Sequence, residues 1–206
     1  TAIYKTPILS MITCVTVKPC WRDHMTEVSF TQMKDGTQAD YQMLEQLETD
    51  HIQGLPDRVM TALAALSNGL AGYKIDRLQH SLQTATRAQA DGASIDWIVA
   101  ALVHDIGDDL APLSHSEFAA ALLKPFVCEE IVWVIEKHGL FQAYYYAHHT
   151  GGDRHARDKY KGHPHYERCV HFCEVWDQAS FDPAYPTRPL EYFEPMVRQV
   201  FSRSMG

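Results

Sequence analysis

Residues 95–107 read IDWIVAALVHDIG, an apolar run that ends in a histidine and an aspartate. Its apolar residues recur at the spacing of one helical face, at Ile95, Ile98, Val99 and Leu102. Because so apolar a helix is buried, the imidazole of His104 and the carboxylate of Asp105 enter the interior together. Burying both groups is costly unless a cation neutralises them. The run therefore predicts a buried helix that carries metal ligands at its carboxyl end.

Helical spacing also marks the segments on both sides of this run. The sequence predicts helices within 40–70, broken at Gly54-Leu55-Pro56, and over 76–90, 95–104, 117–123, 129–138, 166–176 and 190–201. Residues 144–165 lack clear periodicity, so we expect a long ordered loop, which is usually functional inside a compact domain. No segment alternates apolar and polar residues as a strand would. The predicted fold class is all-α.

The chain length favours one domain. With 206 residues, 46% of them hydrophobic, the chain can bury one sizeable core. We expect residues 25–206 to form a single helical domain. Residues 1–24 are interpreted as an N-terminal extension, and the sequence leaves open whether they belong to the native domain. Their apolar run, 7–17, is shorter than the roughly 20 residues that a membrane-spanning helix needs.

The charge and the cysteines narrow the class of partner and the compartment. A formal net charge of -8 argues against a nucleic-acid partner, since phosphate binding requires a basic surface. Five cysteines without a CxxC pair fit a reducing cytoplasm better than secretion. We expect a cytoplasmic protein that acts on a small molecule, with no membrane contact and no implied protein partner.

Metal binding is the hypothesis that best explains the buried histidine and aspartate. A lone histidine is more often a surface or core residue than a ligand, so the prediction depends on a set that several helices supply. That set comprises His80, His104, Asp105, His115, His138 and Asp177. Mixed nitrogen and oxygen donors of this kind suit iron, manganese or zinc better than calcium or magnesium.

Asp105 is the residue expected to join two metal sites. The two predicted groups are His80, His104 and Asp177 around one ion, and His115 with His138 around the other. The carboxylate of Asp105 would bridge them, and positions would stay open for substrate or dioxygen. We therefore predict that His104 and Asp105 lie at the centre of the catalytic site.

The order of these ligands resembles that of a known superfamily. His80, then His104-Asp105, then Asp177 is similar to the H...HD...D pattern of the HD superfamily, over the central half of the chain. The added His115 and His138 resemble its dinuclear branches. These include phosphodiesterases and the mixed-valent diiron oxygenases similar to myo-inositol oxygenase. The resemblance implies a helical bundle with a dinuclear metal centre.

Further segments resemble the oxygenase branch that cleaves carbon–phosphorus bonds in 1-hydroxyphosphonates. The run 30–37, FTQMKDGT, resembles the entry segment of inositol oxygenase. Its part 33–37, together with the tyrosines at 144–146 and the histidines at 148–149, is more similar to a bacterial group that acts on 1-hydroxy-2-(trimethylammonio)ethylphosphonate. That resemblance implies two iron ions, Fe(II) and Fe(III), with O2 as cosubstrate and glycine betaine and phosphate as products. Glu174, where a basic residue could have bound phosphonate, departs from the pattern and leaves the exact organophosphonate open.

Two alternatives remain open from the residues. Phosphohydrolases of the superfamily often have a lysine three residues after the HD aspartate, where this chain has Asp108. A carboxylate there would repel a phosphoryl group, which disfavours hydrolysis of a nucleotide or phosphoester without excluding it, since metals alone can activate water. A non-catalytic effector-binding module is the third possibility, and the intact ligand set argues against it.

Substrate contacts are predicted from charge and ring chemistry. A phosphonate needs cations, for which Arg157 and Lys161 are the candidates, and a quaternary ammonium needs carboxylates or aromatic faces. Asp108 is the candidate for the ammonium, and Gln142 is a further predicted substrate contact. Related oxygenases fill the open iron position with a tyrosine until substrate arrives. The resemblance assigns that gating role to Tyr41.

Overall fold

The computed structural model describes residues 27–203, so the predicted extension at 1–24 lies outside it. The described residues fall into two compact units, 27–51 and 52–203. The helices are α1 (Gln38–Gln53), α2 (Leu55–Ala65), α3 (Arg77–Ala90), α4 (Ile95–Val103), α5 (His115–Leu123), α6 (Glu129–Tyr146), α7 (Tyr166–His171) and α8 (Leu190–Phe201). No strand occurs between residues 27 and 203, and the prediction of an all-α fold is confirmed.

In the first unit, a reciprocal hydrogen-bond pair caps the start of α1. The Asp40 carboxylate accepts from the Thr37 amide at 2.8 Å and from the Thr37 hydroxyl at 2.6 Å. It also accepts from the Ser29 amide at 2.8 Å. The Thr37 hydroxyl accepts in turn from the Asp40 amide at 3.3 Å. This is the arrangement of a capping box, in which two residues satisfy amides that the first helical turn leaves unpaired.

Tyr41 lies one residue beyond that cap, and its hydroxyl is already bonded within the first unit. It donates to the Met33 carbonyl, and its ring stacks on Phe30 with centroids 5.5 Å apart. To act as a gate, the hydroxyl would have to leave this carbonyl. The gating role of Tyr41 stays a prediction.

In the second unit, α4 is the central element of the core. Residues from Val99 to Val103 have no exposed surface, because α3 and α8 both pack on this helix and α6 contacts it. Burying one such Val or Leu side chain contributes about 1.5–3 kcal/mol. The apolar run at 95–103 thus forms the centre of this unit, and its carboxyl end delivers His104 and Asp105 to the interior.

Two helices differ from their predicted extents. Helix α6 continues through Tyr146, so the predicted loop at 144–165 starts inside a helix, and it also contains the 3-10 turns Ala147–Thr150 and Ala156–Tyr160. The buried Phe141 extends the apolar face of α6 beyond His138. The tyrosines that follow it interrupt the helical spacing of apolar residues in the sequence, so the predicted helix ended at His138. The helix predicted at 166–176 is α7 followed by a π-helix, Phe172–Asp177.

Among residues 27–203, none of the helices combines the length and the apolar character that crossing a bilayer requires.

Candidate metal centre

The second unit brings all six predicted ligands together. His80 lies on α3 just after its N-cap, where Asp76 accepts from the Gln79 amide at 2.7 Å. The other ligands are at the end of α4 (His104 and Asp105), the start of α5 (His115), the middle of α6 (His138) and the end of the π-helix (Asp177). Five of the six are buried, and the side chain of His115 is 27% exposed.

The Asp105 carboxylate lies between two groups of ligands. Its Oδ2 is 3.4 Å from the Nε2 atoms of both His80 and His104. Its Oδ1 is 3.4 Å from Nε2 of His138 and 3.6 Å from Nε2 of His115. One oxygen therefore faces each group, as a bridging carboxylate requires.

Asp177 completes the group on the Oδ2 side. Its Oδ1 is 3.2 Å from Nε2 of His80 and 3.8 Å from Nε2 of His104. We call His80, His104 and Asp177 the first ligand group, and His115 and His138 the second. Three sets of ligand atoms lie within 4.8 Å of one another, namely those of His80, His104 and Asp177, of His104, Asp105 and His138, and of Asp105, Asp108 and His115. The assignment of His115 and His138 to one ion stays a prediction.

Main-chain carbonyls fix the orientation of three imidazoles. The Nδ1 atom lies 2.8 Å from the Ser180 carbonyl in His80, 2.7 Å from the Ala101 carbonyl in His104 and 2.6 Å from the Ile135 carbonyl in His138. Because a carbonyl can only accept, each Nδ1 carries the hydrogen. In the neutral ring this directs the Nε2 lone pair at the centre, as in metal-binding histidines whose second nitrogen is held by an acceptor.

The facing rings of His80 and His104 provide a test of whether a metal fits. Their Nε2 atoms are 3.1 Å apart, although both Nδ1 atoms already donate to carbonyls. Two such lone pairs repel unless a proton or a cation lies between them. Ligand atoms bound to one metal at about 2.1 Å and at right angles are separated by about 3.0 Å. The donor set and this spacing therefore fit a bound cation.

The pKa values of the same pair show what a metal would displace. Burial acts to lower the pKa of His80, but its contacts with Asp105 and Asp177 outweigh that and raise it to about 10. Burial lowers the pKa of His104 to about 4, despite the attraction of the same carboxylates. Without a metal ion, one proton thus stays on His80 and is shared with His104. Metal binding would release that proton.

Arg77, which the sequence reading missed, holds a second layer of contacts around the centre. Its Nε forms an ion pair with Asp108 Oδ2 at 2.7 Å, although the angle is unsuitable for a hydrogen bond. Its Nη1 lies 3.5 Å from Asp105 Oδ2. Asp108 Oδ1 is 3.5 Å from Nδ1 of His115. Asp108 therefore links Arg77 to a ligand of the second group. The available signal was the position of Arg77, three residues before His80 on one helical face.

A cavity of about 320 Å³ opens onto the centre. Besides metal ligands, its lining includes Tyr73, Arg77, Gln142, Tyr145, Tyr146 and Phe181. The Gln142 amide donates to Asp177 Oδ1 at 3.0 Å, and its Oε1 is buried without a hydrogen-bond partner among residues 27–203. Gln142, one of the predicted substrate contacts, is thus placed in the lining with a free acceptor.

Three other predicted substrate contacts do not line this cavity. Arg157 is buried with its guanidinium 3.8 Å from the Tyr144 ring centroid, and Lys161 pairs with Asp158 at 2.8 Å on the surface. Asp108 faces Arg77 and His115 instead of the cavity. Charge alone suggested all three as contacts. Asp108 and Lys161 are paired with opposite charges in the protein, whereas the Nε and Nη1 atoms of Arg157 are buried without a hydrogen-bond partner among residues 27–203. The structure therefore does not bring them to the position that their predicted roles require.

Comparison with known proteins identifies the part of the chain that carries the centre. Residues 77–174 match the model of the HD domain family, a range that holds five of the six ligands and ends just before Asp177. No significant match to a curated protein was found. Members of the HD family are mostly enzymes that depend on divalent metals. Residues 77–174 are thus similar to an HD domain, which is consistent with the HD superfamily.

Proposed function

We propose that the protein is a non-haem diiron oxygenase that cleaves the carbon–phosphorus bond of a 1-hydroxyphosphonate. The proposed substrate is (R)-1-hydroxy-2-(trimethylammonio)ethylphosphonate, which O2 converts to glycine betaine and phosphate. The observation that carries the proposal is the placement of Asp105, which offers one oxygen to each ligand group at the base of the cavity. A centre built for two ions favours the dinuclear branches of the superfamily.

The ligands would hold the ions in a fixed arrangement. Four imidazoles and two carboxylates supply the donors, and the carbonyls of Ser180, Ala101 and Ile135 keep three of the imidazoles oriented. Iron bound here would supply the redox chemistry that transfers electrons from substrate to dioxygen. The protein would bind and orient the substrate and exclude water from the reacting carbon.

The cavity lining has groups suited to each end of the proposed substrate. Arg77 carries a positive charge beside the centre, where a phosphonate would bind. The free Oε1 of Gln142 can accept a hydrogen bond from the substrate hydroxyl. Tyr73 and Tyr146 offer rings to a quaternary ammonium, which aromatic rings attract through their negative faces. The ring of Phe181 already stacks on His80 at 4.3 Å and on Tyr73 at 5.1 Å.

The size of the cavity also favours a small substrate. Ligand pockets commonly have volumes of about 300–1,000 Å³, and this cavity, at about 320 Å³, is at the small end of that range. A phosphonate with a few carbon atoms suits such a volume better than a nucleotide does.

The decisive experiment measures oxygen uptake and phosphate release together. We expect the iron-loaded protein, given 1-hydroxy-2-(trimethylammonio)ethylphosphonate, to consume one O2 for each phosphate released. Gln142→Ala is the matched test of the lining and should raise KM more than it lowers kcat, because its acceptor binds the substrate hydroxyl. Phosphate release without oxygen uptake would contradict the proposal.

One observation favours hydrolysis as a second candidate function. The negative charge of Asp108, which argued against a phosphoryl substrate, is paired with Arg77 at 2.7 Å. The repulsion expected from Asp108 is therefore offset within the protein. A phosphohydrolase would release phosphate from a phosphoester in the presence of Mn²⁺ and the absence of O2, which separates the two candidates in one assay.

A further inference from the structure

A π-helix leads directly to the metal ligand Asp177. Helix α7 ends at His171, and the wider turn Phe172–Asp177 follows without a break. Its hydrogen bonding reaches one residue further than in an α-helix, as in the 2.9 Å bond from the Gln178 amide to the Cys173 carbonyl. Well under 1% of residues in proteins adopt this form, which is often associated with functional sites.

One carboxylate oxygen of Asp91, the residue that follows α3, is hydrogen-bonded to residues near both ends of this turn. Asp91 Oδ2 lies 2.7 Å from Nε2 of His171, immediately before the π-helix. It also accepts from Nε1 of Trp176 at 3.0 Å, and Trp176 precedes Asp177. The two donors are at opposite ends of the segment, so the single oxygen fixes the distance between those ends. We call Asp91, His171 and Trp176 the latch.

The position of Asp91 is itself fixed by the end of α3. Its amide donates to the Arg87 carbonyl at 3.0 Å, and Gly92 follows with a φ of 77°, the left-handed conformation that commonly ends a helix. The same helix carries His80. The latch thus ties the segment that supplies Asp177 to the helix that supplies another ligand of the first group.

The far side of the π-helix is connected to the same group. The Ser180 amide donates to the Asp177 carbonyl at 2.9 Å, and the Ser180 carbonyl accepts from Nδ1 of His80 at 2.8 Å. A change in the register of the π-helix would therefore displace Asp177 and also the acceptor that orients His80. The π-helix also meets the second ligand group, where Cys173 Sγ donates to the His138 carbonyl at 3.5 Å. That bond is to the main chain and leaves Nδ1 of His138 on the Ile135 carbonyl, so it does not set the orientation of a second-group imidazole.

We propose that Asp91 is a positioning residue for the metal centre, which holds the π-helix in the register that places Asp177 in the first ligand group. The inference rests on the metal centre of the proposed function and is independent of its substrate. Asp91 touches neither a ligand side chain nor the cavity, so it acts through His171 and Trp176.

The test is a titration of the full chain with Mn²⁺ alone, in which calorimetry and electron paramagnetic resonance monitor binding. We expect the wild type to bind two ions. Asp91→Ala should lower the affinity for one of these ions about tenfold. Loss of an outer-shell partner typically lowers metal affinity by about 10–100-fold, and this effect should lie at the lower end. The weakened step should be the one that Asp177→Asn removes. Asp91→Asn should stay within about twofold of wild type, because its amide oxygen can accept the same two hydrogen bonds.

Asp96→Ala is the matched control. Asp96 is another partly exposed carboxylate, and it accepts from Arg203 at 2.6 Å and 3.0 Å, away from the latch. Its loss should leave both Mn²⁺ affinities unchanged. If Asp91→Ala folds poorly, His171→Ala removes one bond of the latch while α3 keeps its end intact, and it should weaken the same ion about threefold.

Three results would overturn the inference. Asp91→Ala could bind both ions as the wild type does, weaken both equally, or weaken the ion that Asp177→Asn leaves in place. A wild type that binds no Mn²⁺ would overturn this inference and the metal centre together. Binding with the expected pattern but without oxygen uptake would overturn only the proposed function, so the two failures are distinguishable.

Discussion

The two ligand groups around Asp105 differ in how far the protein encloses them. In the first group, the side chains of His80, His104 and Asp177 are 1%, 1% and 3% exposed. In the second, His138 is 2% exposed and His115 is 27% exposed. Metal sites that serve structure are closed, whereas catalytic sites keep positions open. The difference indicates that molecules from solvent reach the second group more easily, and we expect the first group to hold its ion more tightly.

The largest effect is expected from removing the residue that both groups share. Asp105→Ala should lower the affinity for both ions by more than about 100-fold, since the loss of an outer-shell partner alone lowers metal affinity by about 10–100-fold. Metal content after dialysis, measured by mass spectrometry, checks this. Retention of two tightly bound ions would show that the groups do not share a bridging carboxylate.

Single-histidine variants should separate the two groups. His104→Ala should remove the first ion, and His115→Ala should remove the second while the first stays bound, so each purified variant should hold one ion instead of two. Both should lose oxygenase activity, because the proposed reaction needs both ions. A loss of both ions on replacing the more exposed His115 would show that the groups are not independent.

A smaller effect is expected from the contact that orients His115. Asp108→Asn removes the negative charge that lies 3.5 Å from its Nδ1, and it should weaken the second ion about tenfold while leaving the first unchanged. Calorimetric titration with Mn²⁺ measures both steps. Asp109→Asn is the neighbouring control and should change neither step, since among residues 27–203 no ion pair joins Asp109 to His115 or to another ligand.

The smallest expected effect is the release of a proton when the first ion binds. Because the pKa of His80 is raised from 6.5 to about 10, its proton stabilises the metal-free fold fully below pH 6.5, and that stabilisation is lost as pH rises through 10. An ion in the first group displaces that proton. We therefore expect about one proton released per first ion at pH 8, and affinity that rises with pH between 6.5 and 10. Calorimetry in two buffers of different ionisation enthalpy measures the release, and none would mean that His80 is neutral beforehand.

The contacts that sequence could predict are those with a local signal. The apolar run at 95–103 showed its helical face directly, and each ligand was a histidine or aspartate beside such a face. The contacts it could not predict depend on partners distant along the chain. Asp91 and Trp176 are 85 residues apart in the sequence. No local pattern predicts the π-helix Phe172–Asp177. The substrate contacts of Arg157 and Lys161 stay predictions, because a positive charge in the sequence does not show which cavity, if any, its side chain lines.

Main-chain acceptors make the orientation of His80, His104 and His138 independent of the side chains of the residues that supply them. Because Ser180, Ala101 and Ile135 act through carbonyls, their own side chains can vary without releasing the imidazoles. One residue of the cavity wall also contacts these rings, since Phe181 stacks on His80 with centroids 4.3 Å apart. Substitutions at Ser180, Ala101 and Ile135 that leave the backbone in place should therefore preserve the orientation of the imidazoles, whereas a substitution at Phe181 should disturb His80.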